Sequence, residues 1–180
     1  MIECGDIVGF NSGEWDSKII AALTRDAGER PTRWTHVEQA VAHDQIARQM
    51  IRKVIEPWEP EKRKGLIEVW RYNWLTSSQR ERLATYHMNT VGRWYGLWRL
   101  PLFGLQWLAG RVGVLLNCGP LLRADKRSMV CSTDVANAMW HATLAPFFFG
   151  RSVCEVTPDD IADHIEQHPL DWTLVWRRGA

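Results

Sequence analysis

An α+β domain built on an antiparallel sheet is the fold class this chain predicts, and three observations predict it. Short runs with strand character crowd the first half, from Asp6 to Tyr72. Two helix-start signatures stand apart from them, Thr76-Ser77-Ser78-Gln79 and Thr157-Pro158-Asp159-Asp160. A last strand pattern, Trp172 to Trp176, closes what reads as a single domain over residues 1–180, with no internal repeat or low-complexity linker.

Asp6-Ile7-Val8-Gly9-Phe10 reads as a short buried strand. Asn11-Ser12-Gly13 turns the chain into a helical stretch, Asp16 to Thr24, with Ile19, Ile20 and Leu23 on one side. Asp26 to Arg33 is polar, contains Gly28 and Pro31, and is a loop. From Trp34 to Ala42 a period of two puts His36, Glu38, Ala40 and Ala42 on one strand face. Thr35, Val37, Gln39 and Val41 take the other. Two or three more strands follow, around Gln45 to Met50, Lys53 to Pro57 and Leu66 to Tyr72.

Thr76 caps a helix that runs to about Thr90 and ends near Gly92, with Gln79 placed to reach back to the cap. Trp94 to Leu122 is strongly apolar but broken by Arg99, Pro101, Gly104, Gly110, Arg111 and Gly113, which argues against a membrane-spanning helix. Ser128 or Ser132 is the expected cap of a helix carrying Val135, Ala136, Met139 and Trp140. Thr157 caps the last helix, with Pro158 in its first turn and two aspartates toward its positive end.

At 180 residues the chain is long enough to bury a sizeable core, and 46% hydrophobic with 24% charged residues is a globular balance. A formal net charge of +1 gives no field that advertises a nucleic-acid partner. Cys4, Cys118, Cys131 and Cys154 form no CxxC pair, so neither a zinc ribbon nor a disulfide framework is expected. The N-terminus lacks a basic region followed by an apolar one, which predicts cytoplasmic synthesis without Sec export and leaves other export routes open. Eleven tryptophans point to a rigid aromatic core or an aromatic surface that meets something greasy. Between Tyr86 and Arg127 six Lys/Arg face one acid, Asp125, so an amphipathic lid on acyl chains or an anionic membrane is the sharper alternative to ordinary core helices.

The chemistry centres on Cys131, in Met129-Val130-Cys131-Ser132-Thr133-Asp134, and on His36, in Trp34-Thr35-His36-Val37-Glu38. A free cysteine is most often a small core residue. Ser132, Thr133 and Asp134 are poor core residues and good first-turn residues, so this cysteine is placed at a polar helix entrance, where a thiolate is stabilised. Among the histidines, His43 and His87 have no special setting, and His164 and His168 lie four apart on a surface helix. His141 lies on the cysteine's own helix roughly 15 Å away. His36 remains as the base. Glu38 shares its face and is placed to orient the imidazole, with Gln49 on the neighbouring strand as the rival.

In order along the chain, Gly5-Asp6-Ile7-Val8, Ser17 to Thr24, Thr35-His36-Val37-Glu38, Gly92 with Tyr95-Gly96, Val130-Cys131-Ser132 and Thr157-Pro158 resemble a known pattern. It is that of the circularly permuted branch of the NlpC-like papain-fold cysteine hydrolases, the YiiX-like group with the lecithin–retinol acyltransferase relatives. Histidine before cysteine is the order of that branch. The resemblance implies a permuted papain-like fold in which an antiparallel sheet packs with helices. It implies Cys131 as nucleophile, His36 as base and a third polar residue, and binding roles for Tyr95, Ser132 and Gln49. The strand after the histidine strand offers Arg48 and Gln49 and no histidine or acid at the expected place, which favours Glu38 as the third member. The segment between Tyr95 and Cys131 departs from the family's core pattern and is the expected seat of specificity.

The function expected is thiol-dependent cleavage of an amide or (thio)ester through an acyl-enzyme, without cofactor or metal. Peptide, peptidoglycan and lipid-acyl substrates are all open. The tryptophans and basic residues favour a hydrophobic acyl group and peripheral membrane contact, and no nucleic acid is expected. The alternative is a non-catalytic binding or structural module on the same fold, such as a phage or secretion-system component. A third reading makes His164, His168 and a cysteine metal ligands.

Overall fold

The computed structural model describes residues 2–13, 33–49, 51–95, 105, 128–148, 152–153 and 156–179. Among them, in chain order, are β1 (Ile7–Asn11), β2 (His36–Ala42), β3 (Gln45–Gln49), β4 (Lys53–Pro57), β5 (Leu66–Tyr72), α1 (Ser77–Asn89), β6 (Trp94–Tyr95), β7 (Ser128–Met129), α2 (Cys131–Thr143), α3 (Pro158–Gln167) and β8 (Trp172–Arg178). A one-turn 3-10 helix, Pro60–Lys62, follows β4. The expected helix from Asp16 to Thr24, the loop after it, the apolar run beyond Tyr95, Cys118 and Cys154 lie outside the described residues.

Six strands form one sheet in the order β4-β3-β2-β1-β5-β8, and every neighbouring pair is antiparallel. The fold is therefore α+β, as composition and periodicity predict. β6 and β7 add a two-stranded parallel pair that no sequence signal foretells. The period-two assignment of the histidine strand holds. Val37 packs into the core under the helices with Leu83, Val135 and Met139, and Ala40 into a second core with Val8, Ile46, Ile67 and Val69.

That second core exists because the sheet curls. Trp58, just past β4 at one end of the strand order, meets Trp176 of β8 at the other, with ring centroids 6.1 Å apart.

β2 begins at His36, two residues later than its pattern suggests, for a packing reason. Trp34 leaves the ladder to lie against Gly9, where an added Cβ would stand 2.1 Å from the indole. Its Nε1 donates to Glu68 Oε2 at 2.9 Å, and Thr35 N–H donates to Phe10 O at 2.8 Å. The first register pair is then Phe10 with His36.

The helix starts follow the cap chemistry in two cases. Thr76 and Gln79 form a reciprocal box, as do Thr157 and Asp160. For α2 the expectation fails, because neither Ser128 nor Ser132 is the cap. Val130 is the cap residue, and the Thr133 hydroxyl folds back, accepting from Val130 N–H and donating to Val130 O, both at 3.0 Å. No helix among the described residues is long and apolar enough to cross a membrane.

Candidate active site

Cys131 is the first residue of α2, and this follows from its neighbours. Val130 is extended (φ −96°, ψ 165°), and the Thr133 hydroxyl satisfies its N–H, so helical geometry starts at the cysteine. Ser132, Thr133 and Asp134 are polar first-turn residues as expected, yet all three are buried. The helix entrance is an interior polar cluster, where their side-chain hydrogen bonds offset the desolvation that makes such residues poor core formers. Ser132 Oγ donates to Val156 O at 2.7 Å.

The chain fold brings Cys131 and His36 together across about a hundred residues of sequence. The imidazole lies close enough to the thiol for each to shift the other's ionisation, and the backbone of Val37 and Ser132 also favours the thiolate. His36 Nε2 lies 3.1 Å from Glu38 Oε1. Glu38 is inaccessible to solvent; Arg63 Nη1 holds Oε2 at 2.7 Å, and Arg48 Nε stands 3.1 Å from Oε1, the oxygen that meets His36. His36 is thus in contact with Glu38 and within electrostatic reach of Cys131.

Their electrostatics oppose each other in the sense a nucleophile needs. For Cys131 burial is the largest influence and raises the thiol. The charge and hydrogen bond of His36, with the Val37 and Ser132 N–H groups, outweigh it and bring the thiol below its ordinary value. For His36 burial again acts first, against the charged form. The Cys131 thiolate, by charge and hydrogen bond, and then Glu38 overcome it and push the imidazole up to about 10. Both shifts favour the thiolate–imidazolium form of the pair over the neutral one. The His36 side chain is 28% exposed while Cys131 is only 5% exposed, so a reactant meets the imidazole face first.

Of the other expected site residues, Gln49 is buried away from the imidazole. Its Nε2 donates to Arg93 O at 3.4 Å, so the contact with His36 belongs to Glu38. Tyr95 pairs through its backbone with Met129, two residues before the cysteine. His87, which has no special setting in the sequence, is fully buried, with Nε2 3.0 Å from Gln39 Oε1. His164 is not a free surface residue either. It stacks on His168 at 4.3 Å between centroids and packs against Phe148 and Trp172. Among the described residues no group of three or more His, Cys, Asp or Glu side chains is placed to hold a metal ion.

Sequence reasoning missed a buried ion pair one helical turn below the cysteine. Lys53 Nζ, wholly buried, donates to Asp134 at 2.8 Å and to Thr90 Oγ1 at 2.7 Å, and Tyr86 OH donates to Asp134 at 3.1 Å. Burial raises Asp134 and lowers Lys53, and each partner's charge opposes the shift in the other. The spacing of Cys131 and Asp134 was the one available signal, since i and i+3 share a helix face. Nothing in the pattern of β4 marks Lys53 as a core residue.

A cavity of about 610 Å³ opens beside His36 and Glu38, walled by Phe10, Arg48 and the segment around Lys62 to Lys64. A second, of about 700 Å³, lies between α1 and α2 against Tyr86, Asn137 and His141. No family model matches the chain, and no curated protein matches it significantly.

Proposed function

We propose that this chain is a cysteine hydrolase or acyltransferase on a permuted NlpC-like, papain-type fold, cleaving an amide or (thio)ester bond. The observation that carries the reading is the Cys131 thiol at the first position of α2, within electrostatic reach of His36, with the thiol lowered and the imidazole raised.

The thiolate attacks the substrate carbonyl carbon. Backbone N–H groups at the start of α2, that of Cys131 first, stabilise the tetrahedral oxyanion. The imidazolium of His36 gives its proton to the leaving amine, alcohol or thiol as the carbon–heteroatom bond breaks, and an acyl-cysteine remains. Water or a second acceptor then loses a proton to His36, attacks the acyl carbonyl and releases the acyl group, restoring the thiolate–imidazolium pair. Glu38 holds the ring, as the third residue of such a site does. Peptide, peptidoglycan and lipid-acyl substrates all fit this chemistry. Flotation with anionic vesicles tests the proposed membrane contact.

A second reading, a non-catalytic module on the same fold, is favoured by one observation, the 5% exposure of Cys131. Turnover of a panel of peptide amides, acyl esters and acyl thioesters separates the two. Cys131→Ala is expected to abolish any turnover found. Activity that survives the substitution rules out the hydrolase reading.

A further inference from the structure

Resting on that proposed activity, we infer that the substrate carries an oxyanion, a carboxylate or a phosphate, close to the bond that is cut. Lys62 and Lys64, on the wall of the cavity beside His36, receive it. The cavity, of about 610 Å³, falls within the roughly 300–1,000 Å³ of ordinary small-molecule sites. Arg48, Lys62, Arg63 and Lys64 line it, and so do Glu38, Glu56 and Glu59.

Each of those acids already has a cation. Glu38 is held by Arg63 at 2.7 Å and Arg48 at 3.1 Å, and Glu56 by Arg63 at 3.1 Å and Arg48 at 3.2 Å. Glu59 lies 2.6 Å from Lys62. Lys64 has no carboxylate partner among the described residues and is exposed. Glu61, exposed in the same turn, is not part of the wall.

The two arginines are structural. Arg63 sits over the Phe10 and Trp58 rings at 4.7 and 5.6 Å and is fixed by two carboxylates. The lysines are not fixed in this way. The Lys62–Glu59 pair is solvent-exposed, with side-chain accessibilities of 67% and 42%, and such pairs exchange partners at little cost. Phe10, beneath Arg63, lies 6.0 Å from the His36 ring, so the basic wall stands one aromatic ring from the reacting groups. A substrate reaching the imidazole through this cavity passes surplus positive charge, which favours an anionic substituent and disfavours a cationic one.

The test uses two reagents that alkylate a thiolate by the same displacement of iodide and differ in charge, iodoacetate and iodoacetamide. The intact chain is treated, and the rate at Cys131 is read by peptide mass spectrometry. A unit charge about 8 Å away in a water-like medium raises the local concentration of a monoanion roughly two-fold, so two lysines give about four-fold. The ratio of the iodoacetate rate to the iodoacetamide rate is expected to fall about four-fold in Lys62→Gln/Lys64→Gln at low salt. The difference is expected to close in 1 M salt, where the screening length is about 3 Å.

Acetate and inorganic phosphate, each tested for protection of Cys131 from iodoacetamide, identify the preferred anion. Phosphatidylglycerol vesicles that protect beyond free phosphate place it on a lipid headgroup. A reactive Cys131 whose ratio ignores the lysines, and which no anion protects, overturns this inference and leaves the proposed activity standing. A Cys131 that neither reagent modifies overturns both.

Discussion

Replacing His36 with alanine tests the electrostatic core of the proposal, and its effect can be worked from the geometry. The imidazole acts on the thiol in a site where Cys131 is 5% exposed. Two unit charges about 4 Å apart at an effective dielectric near 20 attract by roughly 4 kcal/mol. At 1.36 kcal/mol per decade that is about three decades in the ionisation constant of the thiol. Water entering the space of the lost ring returns some of it, and the Val37 and Ser132 N–H groups remain. A net loss of about two to three decades follows.

The assay is the pH dependence of iodoacetamide alkylation at Cys131, with denaturant unfolding as a control for the fold. The midpoint should rise by roughly two to three pH units in His36→Ala. Nucleophilicity grows as basicity grows, with a Brønsted slope near 0.4–0.5, so the alkaline plateau should rise by about ten-fold. The rate at pH 7 then falls by at most roughly ten- to thirty-fold, which is why the midpoint is the diagnostic. A folded variant with an unmoved midpoint refutes the pairing, because His36 is the charged group that lowers the thiol.

Glu38→Gln keeps the shape beside His36 but takes the carboxylate from Arg63 and Arg48, so its alkylation midpoint should rise by less than that of His36→Ala, with stability falling by about 1–3 kcal/mol in urea. Lys53→Met leaves the buried Asp134 without its cation and should cost about 3–5 kcal/mol, whereas Lys53→Met/Asp134→Leu should recover most of it; equal losses would mean the pair is not coupled. Burial, and then the neighbouring His168, lower His164 to about 4. The folded state thus prefers the neutral ring, and this contribution is full above about pH 6.5 and is lost as pH falls toward 4. After allowance for solvent screening the loss is roughly 1–2 kcal/mol, so His164→Phe should flatten the acid limb of the thermal-unfolding profile over that window.

The elements that local chemistry dictates were legible in the sequence. Threonine caps with a reciprocal partner three residues on placed α1 and α3, and short strand-like runs placed β3, β4 and β5 to within a residue. What was not legible depends on partners far along the chain. Val130 serves as a cap residue because Thr133 reaches back, and Trp34 leaves the strand because Gly9 makes room across the sheet. His87, Asp134 and Lys53 look like surface residues by type and are buried because they satisfy one another and Gln39, Thr90 and Tyr86. The Cys131–His36 contact is long-range, and residue type and order suggested it. Glu38 was preferred to Gln49 for its shared strand face with His36, and the 3.1 Å contact is that same i, i+2 relation in three dimensions.

Two carboxylates stand near the sulfur, and how each is neutralised explains why one histidine is enough to set the thiol. Asp134 lies one turn along α2 and, left bare, would oppose both the thiolate and the positive end of the helix. Lys53 cancels it from β4, and Tyr86 shares the load. Glu38 lies behind the imidazole, where a bare carboxylate would also repel the sulfur; Arg63 pairs with its Oε2, and Arg48 shares Oε1 with His36. Each acid therefore keeps its geometric role and loses its long-range charge. What remains at Cys131 is the helix start, two backbone N–H groups and the His36 cation, all favouring the thiolate. The arrangement resolves a conflict built into the sequence, where acids flank the cysteine and the histidine at Asp134 and Glu38. It does so with cations drawn from β3, β4 and the segment after it, none of them adjacent in the chain to the residues they neutralise.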